Sequence, residues 1–434
     1  MPNQRFESDY LGELSLPADA LYGIHTRRAL INFCANETVK RAGEYPSLVG
    51  ALLAIKAASA KANAKDLRIE KKMANAIVIA TKRALNSDLP TLFPIPIIQG
   101  GGGTSLNMNA NEVVANIANE ELGGARGRYS PVCPFNTVNC RQSTNDVIPT
   151  ATRIAARVSI KDCSDRLSDL SFAISTTLKA FADMPRVIRT CWRDAITGDF
   201  ATLFGGMSAA IQSATSNLKL SSEALRDLPI GGGVAGATEY VDREFGQSVL
   251  NFLQADFDFG EMRLCKSFSE AAQDPSPLVA VSDALDRVSR LVFKQCQDLR
   301  ILSSGPDAGI AEIELAPVQV GSSAMPCKEN PVLPEYAMQC CLLVQGHAAA
   351  ARSTIDHGDT DLNVWELLTY VSVVDAANLL AIAAEALKQC FATLHPIKAQ
   401  SAKAGELKAS KTYKQSLAEG YLQTEHLITK QPKP

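Results

Sequence analysis

One stretch of the chain gathers reactive groups at close spacing: Gly321-Ser322-Ser323-Ala324-Met325-Pro326-Cys327-Lys328-Glu329-Asn330-Pro331. It carries a hydroxyl pair, an ammonium and a carboxamide, a set suited to holding a small anion and moving a proton. Gly321, Pro326 and Pro331 break both helical and strand periods, so a mobile polar loop is expected between two apolar helical segments. The same composition also describes an ordinary surface loop. What separates the two readings is whether the rest of the chain supplies the other half of a site.

Three other stretches bear on that question. Gln99-Gly100-Gly101-Gly102-Gly103-Thr104-Ser105 feeds a helical pattern, and a glycine turn before a helix presents unpaired N–H groups that favour an anion. A plain connector is one alternative and a nucleotide phosphate loop another; the latter calls for a lysine after the glycines and a preceding apolar strand, and both are missing. Arg141-Gln142-Ser143-Thr144-Asn145-Asp146 precedes a long helical pattern. One such side chain suffices to cap a helix, and the surplus leaves hydroxyls and an amide for a ligand. Arg189-Thr190-Cys191-Trp192-Arg193-Asp194-Ala195 interrupts the pattern after Pro185, and a tight glycine turn follows Pro229.

These stretches must be positioned by helices. Alanine- and leucine-rich periodicity predicts helices over 48–65 and 69–86, and another from the glycine run to about residue 122. Longer ones are expected over 147–182, 201–228, 278–302, 334–353 and 361–394, the first on the order of 50 Å long. Strand signals are almost absent. Such lengths suit an elongated bundle and its oligomer. From Pro396 the chain turns lysine-rich and is expected to form a small helical appendage.

The 434 residues are enough for two or three domains, with 46% hydrophobic and 21% charged residues. A net charge of −3 without a basic block gives no reason to expect a nucleic-acid partner. No uninterrupted apolar run of membrane-spanning length and no signal-like start are evident, so the expectation is a cytoplasmic protein with no membrane partner. Eleven scattered cysteines without a Cys-x-x-Cys pair read as reduced thiols rather than a disulfide framework or zinc site. The five histidines, His25, His347, His357, His395 and His426, lie outside these motifs, which argues against a Ser-His-Asp hydrolase.

Taken in order, the motifs resemble the aspartase/fumarase superfamily, in its aspartase and class II fumarase branch. The 321–331 loop is close to the family signature Gly-Ser-Ser-x-Met-Pro-x-Lys-x-Asn-Pro. The 99–105, 142–146 and 189–190 motifs follow the family order, as do Pro17-Ala18-Asp19-Ala20-Leu21-Tyr22-Gly23-Ile24-His25-Thr26-Arg27-Arg28 and Gly305-Pro306. The likeness extends to about His395, and the N-terminal segment is more like aspartase than fumarase.

The resemblance implies a mostly α, three-domain subunit with a long central helix bundle, divided as 1–143, 144–395 and 396–434. It implies a homotetramer with a twenty-helix core, each active site drawing on three subunits, and a small dicarboxylate of the aspartate/fumarate class as ligand. No cofactor or metal is expected. The implied reaction is β-elimination from a succinyl compound to give fumarate, with L-aspartate as the default substrate. An N-substituted aspartate, fumarate hydration and a structural homologue without activity are the alternatives. By the resemblance, Ser322 is the base, and Lys328 and Asn330 stabilise the aci-carboxylate. Thr104, Ser105, Ser143, Thr144 and Asn145 hold the substrate carboxylates, Thr190 and Cys191 face the leaving group, and Arg28 adds charge.

Several positions depart from the family pattern. Cys191 stands where His or Gln is usual, so a histidine pair with Glu335 is missing, which weighs against a fumarase. Cys133-Pro134-Phe135-Asn136 replaces His-Pro-Asn-Asp, Asp307 replaces an arginine, and Glu329 adds a negative charge to the loop. The C-terminal segment is short. Cys327 beside Lys328 suggests a thiol of lowered pKa, although in a chain with eleven cysteines neither it nor Cys191 needs a role.

Overall fold

The computed structural model describes residues 4–33 and 39–420, with Lys408 described by its main chain only. Cys34 and His426 lie outside the described residues. Five helices dominate: Thr144–Lys179, Phe200–Ser221, Ser276–Leu302, Val332–Arg352 and Glu366–Thr393. The chain divides into two compact units. The first draws on Met1–Asp162, Leu218–Leu285 and Gly346–Ala377, the second on Cys163–Asn217, Asp286–Gln345 and Asn378–Pro434. Each boundary falls inside one of the five long helices.

In the first unit, Pro46 opens the helix Pro46–Lys65, where its missing N–H costs nothing. Fourteen of that helix's 20 residues are buried, and its many alanines let neighbours pack around the whole circumference. The helix Lys71–Leu85 buries one face only. The helix Thr104–Glu121 places asparagines in the core, and three of them bind main-chain carbonyls of neighbouring segments. Asn109 donates to the Leu92 carbonyl, Asn116 to that of Leu21 and Asn119 to that of Val132. Glu112 accepts from the N–H groups of Gly23, His25 and Thr26 and from the Thr26 hydroxyl, satisfying the start of the helix Ile24–Asn32.

The second unit is centred on long-helix segments and the aromatic contacts Phe200–Phe204 and Phe204–Phe391. The hairpin Pro185–Thr190 with Arg193–Asp199 packs against the helices Lys398–Gly405 and Lys408–Glu419. Thr197 Oγ1 donates to the Ala404 carbonyl at 2.6 Å, and Thr197 N donates to Ser410 Oγ at 2.7 Å.

The expected helices are present, with three differences. The 201–228 helix ends at Ser221 and continues as a 3₁₀ turn into a short strand, Asp227–Leu228, paired with Arg263–Leu264. The 361–394 helix starts only at Glu366, because Asn363 Oδ1 accepts from Trp365 N and holds a turn there. Strands are also more frequent than expected: the described residues form four two-stranded sheets, including hairpins at Gln4–Asp9 with Gly12–Pro17 and at 185–199. The second hairpin escapes sequence reading because its two turn residues are Cys191 and Trp192, at φ +50° and +59°. That left-handed turn normally carries Asn-Gly.

By length and composition the helix Glu366–Thr393 would suffice to cross a bilayer, contrary to the sequence expectation, but 67% of its most apolar window is buried as in a core helix.

Candidate active site

In the first unit the glycine run closes on itself. Gly101, Gly102 and Gly103 take φ of +83°, +60° and +88°, and a Cβ on Gly103 would lie 3.1 Å from the Ile148 side chain. Thr104 Oγ1 and Thr104 N both donate to the Gly101 carbonyl, and Leu106 N donates to Gln99 Oε1. The N–H groups of Thr104 and Leu106 are thus spent inside the turn. Thr104 is exposed and Ser105 half-buried at the start of their helix.

The 142–146 stretch begins the helix Thr144–Lys179 and caps it. Asp146 Oδ1 accepts from Ser143 N at 3.1 Å, and Ser143 Oγ accepts from Asn145 N at 3.2 Å. Asp146 Oδ2 accepts from Gly233 N, which places the glycine turn after Pro229 against this helix start. Ser143, Thr144 and Asn145 are half-buried and stand together at its first turn.

Beneath them lies a buried lysine that sequence reasoning missed. Lys56 Nζ donates to Asn107 Oδ1 at 2.7 Å, Gln142 Oε1 at 2.9 Å and Asn139 Oδ1 at 3.1 Å. Its side chain is fully buried, and burial pulls its pKa down to about 7 against the favourable charge of Asp146. Asp146 is pushed up to about 7, again chiefly by burial. Lys56 belongs to no motif; the only signal is a lysine in the middle of an alanine- and leucine-rich helix, and that helix also carries Lys61 and Lys65. Asn107 signals more, since asparagine inside a helix is unfavourable unless tertiary contacts use it.

The second unit holds the signature loop. Gly321 N donates to the Lys328 carbonyl at 3.1 Å, and Asn330 Nδ2 donates to the Gly321 carbonyl at 2.6 Å. A Cβ on residue 321 would meet the Lys328 oxygen at 2.3 Å, so the closure demands glycine. Ser322 Oγ accepts from the N–H groups of Ala324 and Met325 at 3.2 and 3.0 Å. Two donors on one oxygen favour its anionic form. Residues 323–329, Lys328 among them, are exposed.

Thr190 and Cys191 sit at the tip of the 185–199 hairpin, both exposed. A cavity of 270 Å³ lies beside the tip, lined by Arg186, Arg189, Cys191, Trp192, Lys294 and Asp298 together with apolar residues. Arg189 Nη1 pairs with Glu312 at 2.7 Å. Glu335 pairs instead with Arg300 at 3.2 Å.

Arg28 differs from its expected use. Its guanidinium grips Asp9 through two bonds of 2.8 and 2.6 Å and also reaches the Gly12 carbonyl, so its charge is neutralised within the N-terminal hairpin. The structure therefore groups Thr104, Ser105, Ser143, Thr144 and Asn145 with Arg28 in the first unit, and Thr190, Cys191, Ser322, Lys328 and Asn330 in the second.

A helical-bundle subunit with hydroxyls and amides at helix starts, and a glycine-serine loop whose serine oxygen receives main-chain donors, has the design of a helical lyase. Comparison with known proteins makes the assignment. A family model described as Lyase matches residues 12–346. The aspartate ammonia-lyase of Escherichia coli (strain K12) is 35% identical over 391 residues, 90% of this chain and 81% of that protein. A solved structure, fumarate lyase:delta crystallin from Brucella melitensis, matches with a TM-score of 0.90 and 32% identity, covering 98% of this chain and 96% of that one. Recombinant class II fumarase from Schistosoma mansoni shares the fold, with a TM-score of 0.93, 24% identity and coverage of 98% and 92%. The chain belongs to the aspartase/fumarase superfamily and is a lyase.

Proposed function

We propose that the chain is a carbon–nitrogen lyase that converts L-aspartate to fumarate and ammonia by β-elimination. The observation that carries this reading is the Ser322 oxygen held by two main-chain N–H groups inside the signature loop, in a chain 35% identical to an aspartate ammonia-lyase. Those donors lower the cost of a serine alkoxide, which takes the proton next to a substrate carboxylate. The carbanion that forms places a second negative charge on that carboxylate. Lys328 and Asn330 supply a cation and an amide to stabilise it. Ser105, Ser143, Thr144 and Asn145 bind the carboxylates, joined by Thr104 when its hydroxyl turns from the Gly101 carbonyl, with Thr190 and Cys191 on the leaving-group side.

Residues 1–143, 144–395 and 396–434 are read as three functional segments of a cytoplasmic homotetramer whose sites each use three copies of the chain. The separation of the candidate residues between two units supports assembly of this kind. A monomer by light scattering would contradict it.

An N-substituted aspartate is the second reading, favoured by the 270 Å³ cavity beside Cys191, where the family pattern has a larger side chain. Fumarate hydration is disfavoured by the pairing of Glu335 with Arg300 in place of an imidazole. The test is fumarate absorbance with aspartate, malate and N-substituted aspartates. Aspartate is expected to be turned over fastest; faster malate turnover would overturn the ammonia-lyase reading. A chain inert to all of them, with a thermal melt unmoved by fumarate, would be a structural homologue.

A further inference from the structure

We infer that Lys56 and Asn107 are positioning residues that set the Thr144 hydroxyl to donate its proton to a substrate carboxylate. The inference rests on the proposed role of Thr144 as a carboxylate contact.

An ammonium has three N–H bonds and no acceptor, and Lys56 directs its donors to three carboxamide oxygens, on Asn107, Asn139 and Gln142. Any of these amides turned over would press an NH₂ group against the buried cation. One charge therefore dictates the orientation of all three. Their NH₂ ends then face away from Lys56: Asn139 Nδ2 holds the Gln142 carbonyl at 3.0 Å, and Gln142 Nε2 holds that of Val138 at 2.8 Å.

Asn107 is the amide that reaches the site. Its Nδ2 donates to Thr144 Oγ1 at 3.1 Å and to Asn139 Oδ1 at 3.2 Å. Thr144 Oγ1 is thus an acceptor toward the interior, and its single proton is left for another partner. Thr144 is the first residue of its helix, so no preceding helical turn offers a carbonyl to take that proton. The residue is half-buried, within reach of a ligand, at the positive end of the helix. A carboxylate accepts only hydrogen-bond donors. With Asn107 reversed, the amide oxygen would consume the Thr144 proton and the hydroxyl would offer lone pairs to an anion. The orientation imposed by Lys56 therefore selects for an anionic ligand at Thr144, through a residue that touches no ligand itself.

Asn107→Asp tests this because it keeps the shape. The carboxylate still accepts from Lys56 but has no N–H for Thr144, so it takes the hydroxyl proton instead. The variant should stay folded, and its KM for aspartate should rise roughly ten- to a hundredfold, the worth of one hydrogen bond to a charged group, with kcat little changed. Thr144→Val should show the same loss, and the double variant little more. Asn107→Leu, which abandons Lys56, should melt well below Asn107→Asp. A wild-type KM in Asn107→Asp overturns the inference while leaving the proposed lyase activity intact. An Asn107→Asp protein that melts no higher than Asn107→Leu overturns it as well, whatever the substrate proves to be. A wild type inert to every succinyl compound overturns the proposed function alone, and the melting comparison then decides the inference.

Discussion

The 142–145 segment and the 321–331 loop both offer serine and asparagine side chains but are held in different ways. The first rests on a buried ammonium, three oriented amides and a buried aspartate reached by a glycine turn. The second closes through Gly321, Lys328 and Asn330, with most of its side chains exposed. A binding surface profits from being rigid before the ligand arrives, since ordering costs are then met during folding. A base-bearing loop profits from few attachments, since it has to admit substrate and then cover it. The difference predicts that stability and turnover are separable: changes under the 142–145 segment act on stability and KM, and changes in the loop act on kcat.

The largest effect should come from the loop. Ser322→Ala is expected to lower kcat by roughly 10²–10⁴-fold, the range for losing a positioned proton-transfer group, while the melting temperature stays within a degree or two. Intact turnover would remove Ser322 as the base. Under the other segment, Lys56→Met leaves three amide oxygens facing an apolar chain and should cost about 3 kcal/mol or more in urea unfolding. A loss below about 0.5 kcal/mol, the size of an ordinary surface change, would erase the distinction between the two regions.

A pH series sharpens the same comparison. Burial raises Glu112 from 4.5 to about 7 and Asp146 from 3.8 to about 7. Between those values the folded chain keeps protons that the unfolded chain has released. Their contribution to stability is therefore complete below the unfolded values and is lost as pH rises through 7. Lys56, lowered from 10.5 to about 7, acts in the opposite sense only above neutrality, so the test belongs between pH 5 and 7. Unfolding free energy should fall across that range, with Glu112→Gln reducing the total fall by an amount on the order of 2 kcal/mol. An equal slope in both proteins would remove Glu112 as a source.

The smallest effect is expected at the hairpin tip. Cys191 and Trp192 occupy left-handed positions suited to Asn-Gly, so replacing both with that pair should raise stability by about 1 kcal/mol. An unchanged or lower melting temperature would show that packing of Trp192 outweighs the backbone strain.

Much of the architecture was legible in the amino-acid sequence. The five long helices follow from uninterrupted 3.6-residue periodicity, and the loop at 321–331 follows from glycine and proline placed between apolar runs. The hairpin at 185–199 was not legible, because its turn residues are not those the turn prefers. Nor was the early end of the helix at Ser221, where a parallel pairing with Arg263–Leu264 takes over.

By itself the amino-acid sequence determined the family, the loop carrying Ser322, Lys328 and Asn330, and the polar stretches at 99–105 and 142–146 that lead into helices, since local spacing encodes turns, caps and motif chemistry. Only the tertiary structure decided that Lys56 turns three amides by one charge, that Arg28 is neutralised by Asp9, and that Glu335 pairs with Arg300. Each joins residues at least 19 positions apart, and such partners are chosen by burial and packing, which no local pattern records.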